Sequence, residues 1–194
     1  MSAPLPLPLL ATRVHEACGP GAASFAAIAC ARFEGPVLWI GEGWQAARLD
    51  PAGLAAFTDP GRFLLADTAG QTDTLAVAEE ALKDGSIALV VAEITRPLNL
   101  REGRRLQLAA RASGTTGLCL IPEGMGSNAA ETRWHCAPVF DPEGRSDSTL
   151  MRWEIIKNKK GTSGFWHVRW NAAAHRLDVV SPAGLGPGAA ALRA

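Results

Sequence analysis

With 194 residues, nearly half of them hydrophobic and a fifth charged, the chain is long enough for one soluble globular domain with a sizeable core, which excludes a low-complexity polypeptide. No apolar stretch approaches the length of a membrane span. Formal net charge is zero, which excludes a strong overall pull toward nucleic acid. The charge is uneven, though: residues 1–95 hold five Lys/Arg against eleven Asp/Glu, and residues 96–194 fourteen against eight, a local excess of +6.

The first twelve residues have polyproline character and read as a loose leader; with no positive leading region they do not read as a signal peptide. A short strand is predicted over residues 13–17, a turn at Cys18-Gly19-Pro20-Gly21, and a small-residue helix over 22–33. Val37-Leu38-Trp39-Ile40 is a buried strand, followed by the loop Gly41-Glu42-Gly43-Trp44. Asp50 suits an N-cap and Pro51 the first position of a helix reaching Phe57. Phe63-Leu64-Leu65-Ala66-Asp67 reads as a third buried strand, and Thr72-Asp73 as the cap of a helix running to Asp84 that Gly85 ends.

Residues 87–92 form an unbroken apolar run ending in Glu93, as in a strand buried on both faces. A helix over 100–112 follows, closed by Ser113-Gly114, and then a second apolar run over 117–121. Strand, crossover helix and strand make the unit of a doubly wound sheet, whose sites form at the carboxyl ends of the strands, where Glu93 and Pro122-Glu123 stand.

After Pro122 the segments 132–139, 149–157, 165–170 and 176–180 are short, strand-like and rich in Trp and Val, and read as an antiparallel edge on a parallel core. The predicted fold is therefore α/β: a mostly parallel sheet flanked by helices, with an antiparallel β extension in the C-terminal third. Its single domain spans 13–180, and residues 181–194 are expected to form a disordered tail. Four cysteines without a C-x-x-C pair point to reduced, buried thiols and a cytoplasmic setting.

The turn Gly19-Pro20-Gly21, with Ser24 beyond it, stands between strand and helix, where a phosphate loop belongs. The lysine such a loop needs is absent, and Phe25 adds bulk. Glu93 has the position of a metal-holding or water-activating carboxylate. Without the lysine it is expected to bond a neighbouring loop or pair with Arg96 or Arg133. Arg101, Arg104, Arg105 and Arg111 fall within about a third of the helix circumference. Leu106, Ala109 and Ala110 lie toward the other side. Leu108 sits in the middle of the basic face, which argues that this face is partly covered. The face reads either as solvated arginines or as a docking surface for an acidic protein or a nucleic-acid backbone. Lys157, Lys159 and Lys160 form a basic turn, either plainly exposed or touching phosphates. Four tryptophans in residues 134–170 are expected to plug the core rather than stack on bases. The histidines have no ligand-like spacing, so neither metal nor cofactor is predicted.

Several segments together resemble the ImuA family, bacterial proteins related to RecA and linked to DNA-damage-induced mutagenesis. They include Val14-His15-Glu16, Gly103-Arg104-Arg105-Leu106-Gln107-Leu108-Ala109-Ala110, Ala130-Glu131-Thr132-Arg133-Trp134 and Arg152-Trp153-Glu154. The resemblance implies a RecA-like core and a place beside an inactive Y-family polymerase relative, ImuB, and an error-prone C-family DNA polymerase in translesion synthesis. It makes Gly19 to Phe25 a degenerate phosphate loop and Glu93 the second acidic position. It likens Lys157-Asn158-Lys159 to lysines that reach across a RecA filament; without a phosphate loop, these are read as meeting DNA or a partner. Both DNA-binding loops of RecA are short or missing, as is its N-terminal arm, so a monomer or partner-bound protein is expected rather than a filament. The resulting expectation is a non-catalytic adaptor of the SOS response. Its rivals are a weak DNA-dependent ATPase acting as an oligomer, with Lys157 or Lys159 supplying charge to a neighbour, and an inhibitor of cell division.

Overall fold

Nine strands form one sheet in the computed structural model, which describes residues 9–45, 49–141 and 148–181. They are β1 (Val14–Cys18), β2 (Val37–Glu42), β3 (Phe63–Thr68), β4 (Leu89–Glu93), β5 (Thr116–Leu120), β6 (Thr132–Pro138), β7 (Ser148–Asn158), β8 (Gly164–Asn171) and β9 (Arg176–Ser181). The helices are α1 (Ala22–Cys30), α2 (Pro51–Ala55), α3 (Gln71–Asp84) and α4 (Leu100–Ser113). The spatial order is β3-β2-β4-β5-β1-β6-β7-β8-β9. Neighbours from β3 through β6 are parallel, and β6 through β9 are antiparallel.

The unbroken apolar runs place strands with both faces covered. On one face α1 packs with Val37, Val91, Leu118, Trp134 and Trp153. On the other, α3 and α4 set Ala78, Leu82, Leu106, Ala109 and Ala110 against Val14, Ile40, Val90 and Cys119. Trp134, Trp153 and Trp170 fill the first core, as expected of tryptophans under added strands. All four cysteines are buried free thiols. Asp50 caps α2, accepting from the amides of Ala52 and Gly53, and Gly85 and Gly114 end α3 and α4 with φ of 82° and 86°.

Three predicted details change. β3 is an edge strand, not a buried one: it pairs only with β2, and Leu64 and Leu65 are exposed. An apolar run does not reveal whether a strand has one neighbour or two. The cap of α3 is Gly70, with Thr72 and Asp73 already inside the first turn. β6, expected in the antiparallel extension, runs parallel to β1 and turns antiparallel only toward β7. Its connection from β5 needs no helix, because the eleven residues between β5 and β6 can span roughly 36 Å when extended, more than a strand of this length. Of the expected leader, residues 1–8 lie outside the described residues, while Leu9 belongs to the core. Of the expected tail, Ser181 closes β9 and residues 182–194 lie outside. No helix among the described residues is long and apolar enough to cross a membrane.

Candidate functional site

The glycine turn joins β1 to α1 at the carboxyl end of the sheet. Gly19 adopts φ 89°, where a side chain is strained. The stronger reason for glycine is the approach of β6. A Cβ on Gly19 would fall 2.5 Å from the Cys136 carbonyl oxygen, and one on Gly21 3.1 Å from it. The Gly21 amide donates to that same oxygen at 2.8 Å. Phe25, fully buried, packs its ring tilted against Trp134, with centroids 5.4 Å apart, and edge-on to Trp153 at 4.9 Å. Pro20 is exposed and Ser24 half-buried. His135 lies beside the turn, 3.2 Å from Glu123.

Glu93 ends β4, with β5 between it and the glycine turn. Its Oε1 accepts from the Trp39 indole at 2.7 Å, and its other oxygen lies against Gly41. The expected arginine partners are engaged elsewhere: Arg96 pairs with Glu102 at 2.8 Å and Arg133 with Glu16 at 2.7 Å. Trp39 shares the sheet face with Glu93 and brings its N–H within reach. An indole donor opposite a strand end is not legible from local sequence.

The basic residues divide. Arg105 leans to α3 and pairs with Glu79 at 2.5 Å, where Lys83 also binds. Together these two cations hold the Glu79 carboxyl below its usual range, with the Lys83 hydrogen bond as the largest cause. Arg101, Arg104 and Arg111 are exposed with no carboxylate partner among the described residues. Arg104 and Arg111 line one groove with Leu100, Leu108 and Lys159. Lys160 is exposed at the turn beyond.

Lys157 and Lys159, expected to face outward, bind their own chain. The Lys157 ammonium spends its three protons on the carbonyls of Ser127, Asn128 and Ala130, at 3.0, 2.9 and 2.8 Å. Lys159 donates to Ala129 at 2.6 Å. Burial pushes the pKa of Lys157 down, with Arg133 adding to the shift. Carbonyls of an extended connection have no ladder partner, and these lysines fill that need.

The reading of residues missed a buried polar knot, although its segments were the ones that carried the resemblance. Register sets Glu16 beside Arg133. Glu16 also accepts the Ser127 amide at 2.7 Å. His15 Nδ1 lies 2.7 Å from Thr132 Oγ1, and Arg13 Nε lies 3.6 Å from Glu131. Gln107 of α4 donates to the Val14 carbonyl at 2.7 Å and to the Ala129 carbonyl at 3.1 Å. Gly126 lies so close to the Arg133 guanidinium that a Cβ would fall 1.8 Å from its Cζ. The available signal was charge inside apolar strands: Glu16 in a buried β1 and Arg133 in β6 each demand a partner.

These features define a mixed-sheet α/β protein whose β1–α1 glycine turn is closed by its neighbouring strand and whose α4 presents an uncompensated basic face. No family model matches the chain. It is 29% identical to Protein ImuA of Caulobacter vibrioides over 157 residues, in each of two strains, covering 73% of this chain. The chain spans 63% of the length of that relative. At that identity the similarity to ImuA is a distant one.

Proposed function

We propose that the chain is a non-catalytic adaptor of RecA-like fold in damage-induced mutagenesis, working in the cytoplasm beside an ImuB-like polymerase relative and an error-prone C-family polymerase. The pathway and the partners come from the resemblance to ImuA, supported by the similarity to the Caulobacter protein. The non-catalytic part rests on one observation: the Gly21 amide, which a phosphate loop would turn toward its anion, is taken by the Cys136 carbonyl. Phe25, in the stretch where the loop's Gly-Lys-Ser/Thr would stand, turns into the core instead of toward an anion. The rival ATPase reading would require Lys157 or Lys159 to release the segment they hold before reaching a neighbour.

The test is nucleotide binding and turnover by the pure chain. The expected result is no saturable ATP hydrolysis and no rise in Tm with MgATP. A ligand at 100 times its Kd would stabilise by about 2.7 kcal/mol, which a melting curve detects readily. Saturable turnover abolished by Glu93→Gln would sink the proposal. Affinity capture from damaged cells, with and without nuclease, tests the adaptor role; recovery of the division tubulin homologue in place of a polymerase relative would favour the cell-division reading.

A further inference from the structure

Leu108 stands in the middle of the basic face of α4, 65% exposed, and Leu100, two turns earlier, is 47% exposed. Nothing in the described chain covers them. They share a groove of about 480 Å³ with Arg104, Arg111 and Lys159, and among the described residues no carboxylate lines it. The nearby acids are already committed. Glu102 is held by Arg96 and by the Asn99 capping box, and Glu79 by Lys83 and Arg105. The charge of the groove is therefore not neutralised from within.

The opposite wall is main chain, fixed in place. Lys159 holds the Ala129 carbonyl, and a Cβ on Gly103 would fall 2.5 Å from Ser127 Oγ and 2.8 Å from Ala129 Cβ, so helix and wall meet without slack. A groove that exists before its occupant arrives loses little ordering entropy on binding.

We propose that this groove docks an acidic segment of a protein partner, one whose apolar anchors sit on Leu100 and Leu108 while its carboxylates meet Arg104, Arg111 and Lys159. The inference rests on the adaptor reading and gives the chemistry of its partner. A nucleic-acid backbone fits less well. Phosphates gain nothing from two leucines at the centre of the face, and setting charge against them costs hydration. Of the two side-chain amides that line the groove, that of Gln107 is consumed by Val14 and Ala129, which leaves only Asn128 to meet a base edge. An acidic peptide with apolar anchors satisfies both halves of the surface: rim charges steer it and the leucines hold it.

The test places a photo-crosslinking phenylalanine derivative at Leu108 in the full chain, in damaged cells, with a second version at Leu64 on β3 as the control position. Crosslinked products are nuclease-treated and the joined peptide is sequenced. The expected product from Leu108 is a peptide with Asp and Glu outnumbering Lys and Arg around at least one large apolar residue. A synthetic copy of that peptide should bind the full chain about tenfold more weakly after Arg111→Glu, and likewise after Leu108→Ser, with the melting temperature of each variant unchanged. Crosslinked nucleic acid, a basic or neutral peptide, a second copy of this chain, or unaltered affinity in both variants would overturn the proposal. If Leu108 yields nothing while affinity capture still recovers a polymerase relative, the groove is wrong and the adaptor reading stands. If no partner is recovered by either route, the adaptor reading itself fails.

Discussion

His15 lends itself to a quantitative test, because its protonation state is dictated from both sides. Its side chain is completely buried in β1. Nε2 lies 3.0 Å from the Leu10 carbonyl, which only accepts, so Nε2 carries the proton. Nδ1 must then accept from the Thr132 hydroxyl at 2.7 Å, and that hydroxyl oxygen in turn accepts from the Trp134 indole at 3.0 Å. With a neutral ring every donor in this chain has an acceptor. Burial pulls the pKa from 6.5 to about 4; Arg13 acts in the same direction, and the Leu10 carbonyl and Glu131 act against it. A histidine depressed in this way leaves stability intact above pH 6.5. Below that the unfolded chain takes up the proton first, and stability drains away until the folded form titrates near pH 4. The loss is about 2 kcal/mol by about pH 5 and about 3 kcal/mol when complete. For a chain of this size 2 kcal/mol lowers Tm by roughly 4–8 °C. Urea unfolding followed by tryptophan fluorescence, from about pH 7.5 to about pH 5, should show this fall in the wild type. His15→Gln keeps a donor for Leu10 but has no acceptor atom at the Nδ1 position beside Thr132, so it should start about 1 kcal/mol less stable and lose less on acidification. The two curves should converge as pH drops and cross at about pH 6. Parallel curves would refute the reasoning, since other carboxylates titrate in both proteins.

Gly19→Ala and Gly114→Ala both place a side chain at positive φ, but nothing lies within 4 Å of the Gly114 position. Gly114→Ala should therefore cost about 1 kcal/mol, and Gly19→Ala roughly 2 kcal/mol more because the Cys136 carbonyl must move, as measured by urea midpoint. Lys157→Met leaves the Asn128 and Ala130 carbonyls without their donor, while the Ser127 carbonyl keeps Arg133; it should destabilise by about 2 kcal/mol and speed hydrogen exchange at Ser127 and Ala129, whereas unchanged exchange there would count against the clamp. Arg133→Met strands the buried Glu16 carboxylate and should cost about 3–5 kcal/mol, and Glu16→Gln in the same chain should recover part of that loss in a double-mutant cycle.

Much of the architecture was legible because local chemistry and tertiary role coincide. The apolar run ending at Glu93 is a covered strand, and Asp50, Gly85 and Gly114 act where short-range rules put them. The Asn99–Glu102 capping box follows the same rules. What stayed hidden is pairing at long range. The apolar Phe63-Leu64-Leu65 looks like any interior strand until the strand order sets β3 at the margin. Lys157 looks like a surface lysine until β7 brings it under Ser127, thirty residues earlier in the chain. The candidate site was half legible: periodicity grouped Arg104, Leu108 and Arg111, but could not tell that Arg105 turns away to Glu79 or that Lys159 joins them across the groove.

The position of β1 bears on how the chain is made. Among the described strands it leaves the ribosome first, yet its two neighbours are β5 and β6, whose residues emerge about a hundred positions later. Until Trp134 and Cys136 have been synthesised, one margin of β1 has nothing to bond and Glu16 has no counterion. Nascent fragments that stop short of residue 138 should thus be substrates for chaperones or proteases, and the protein should acquire its native centre late, in a step governed by loop closure rather than by local helix formation.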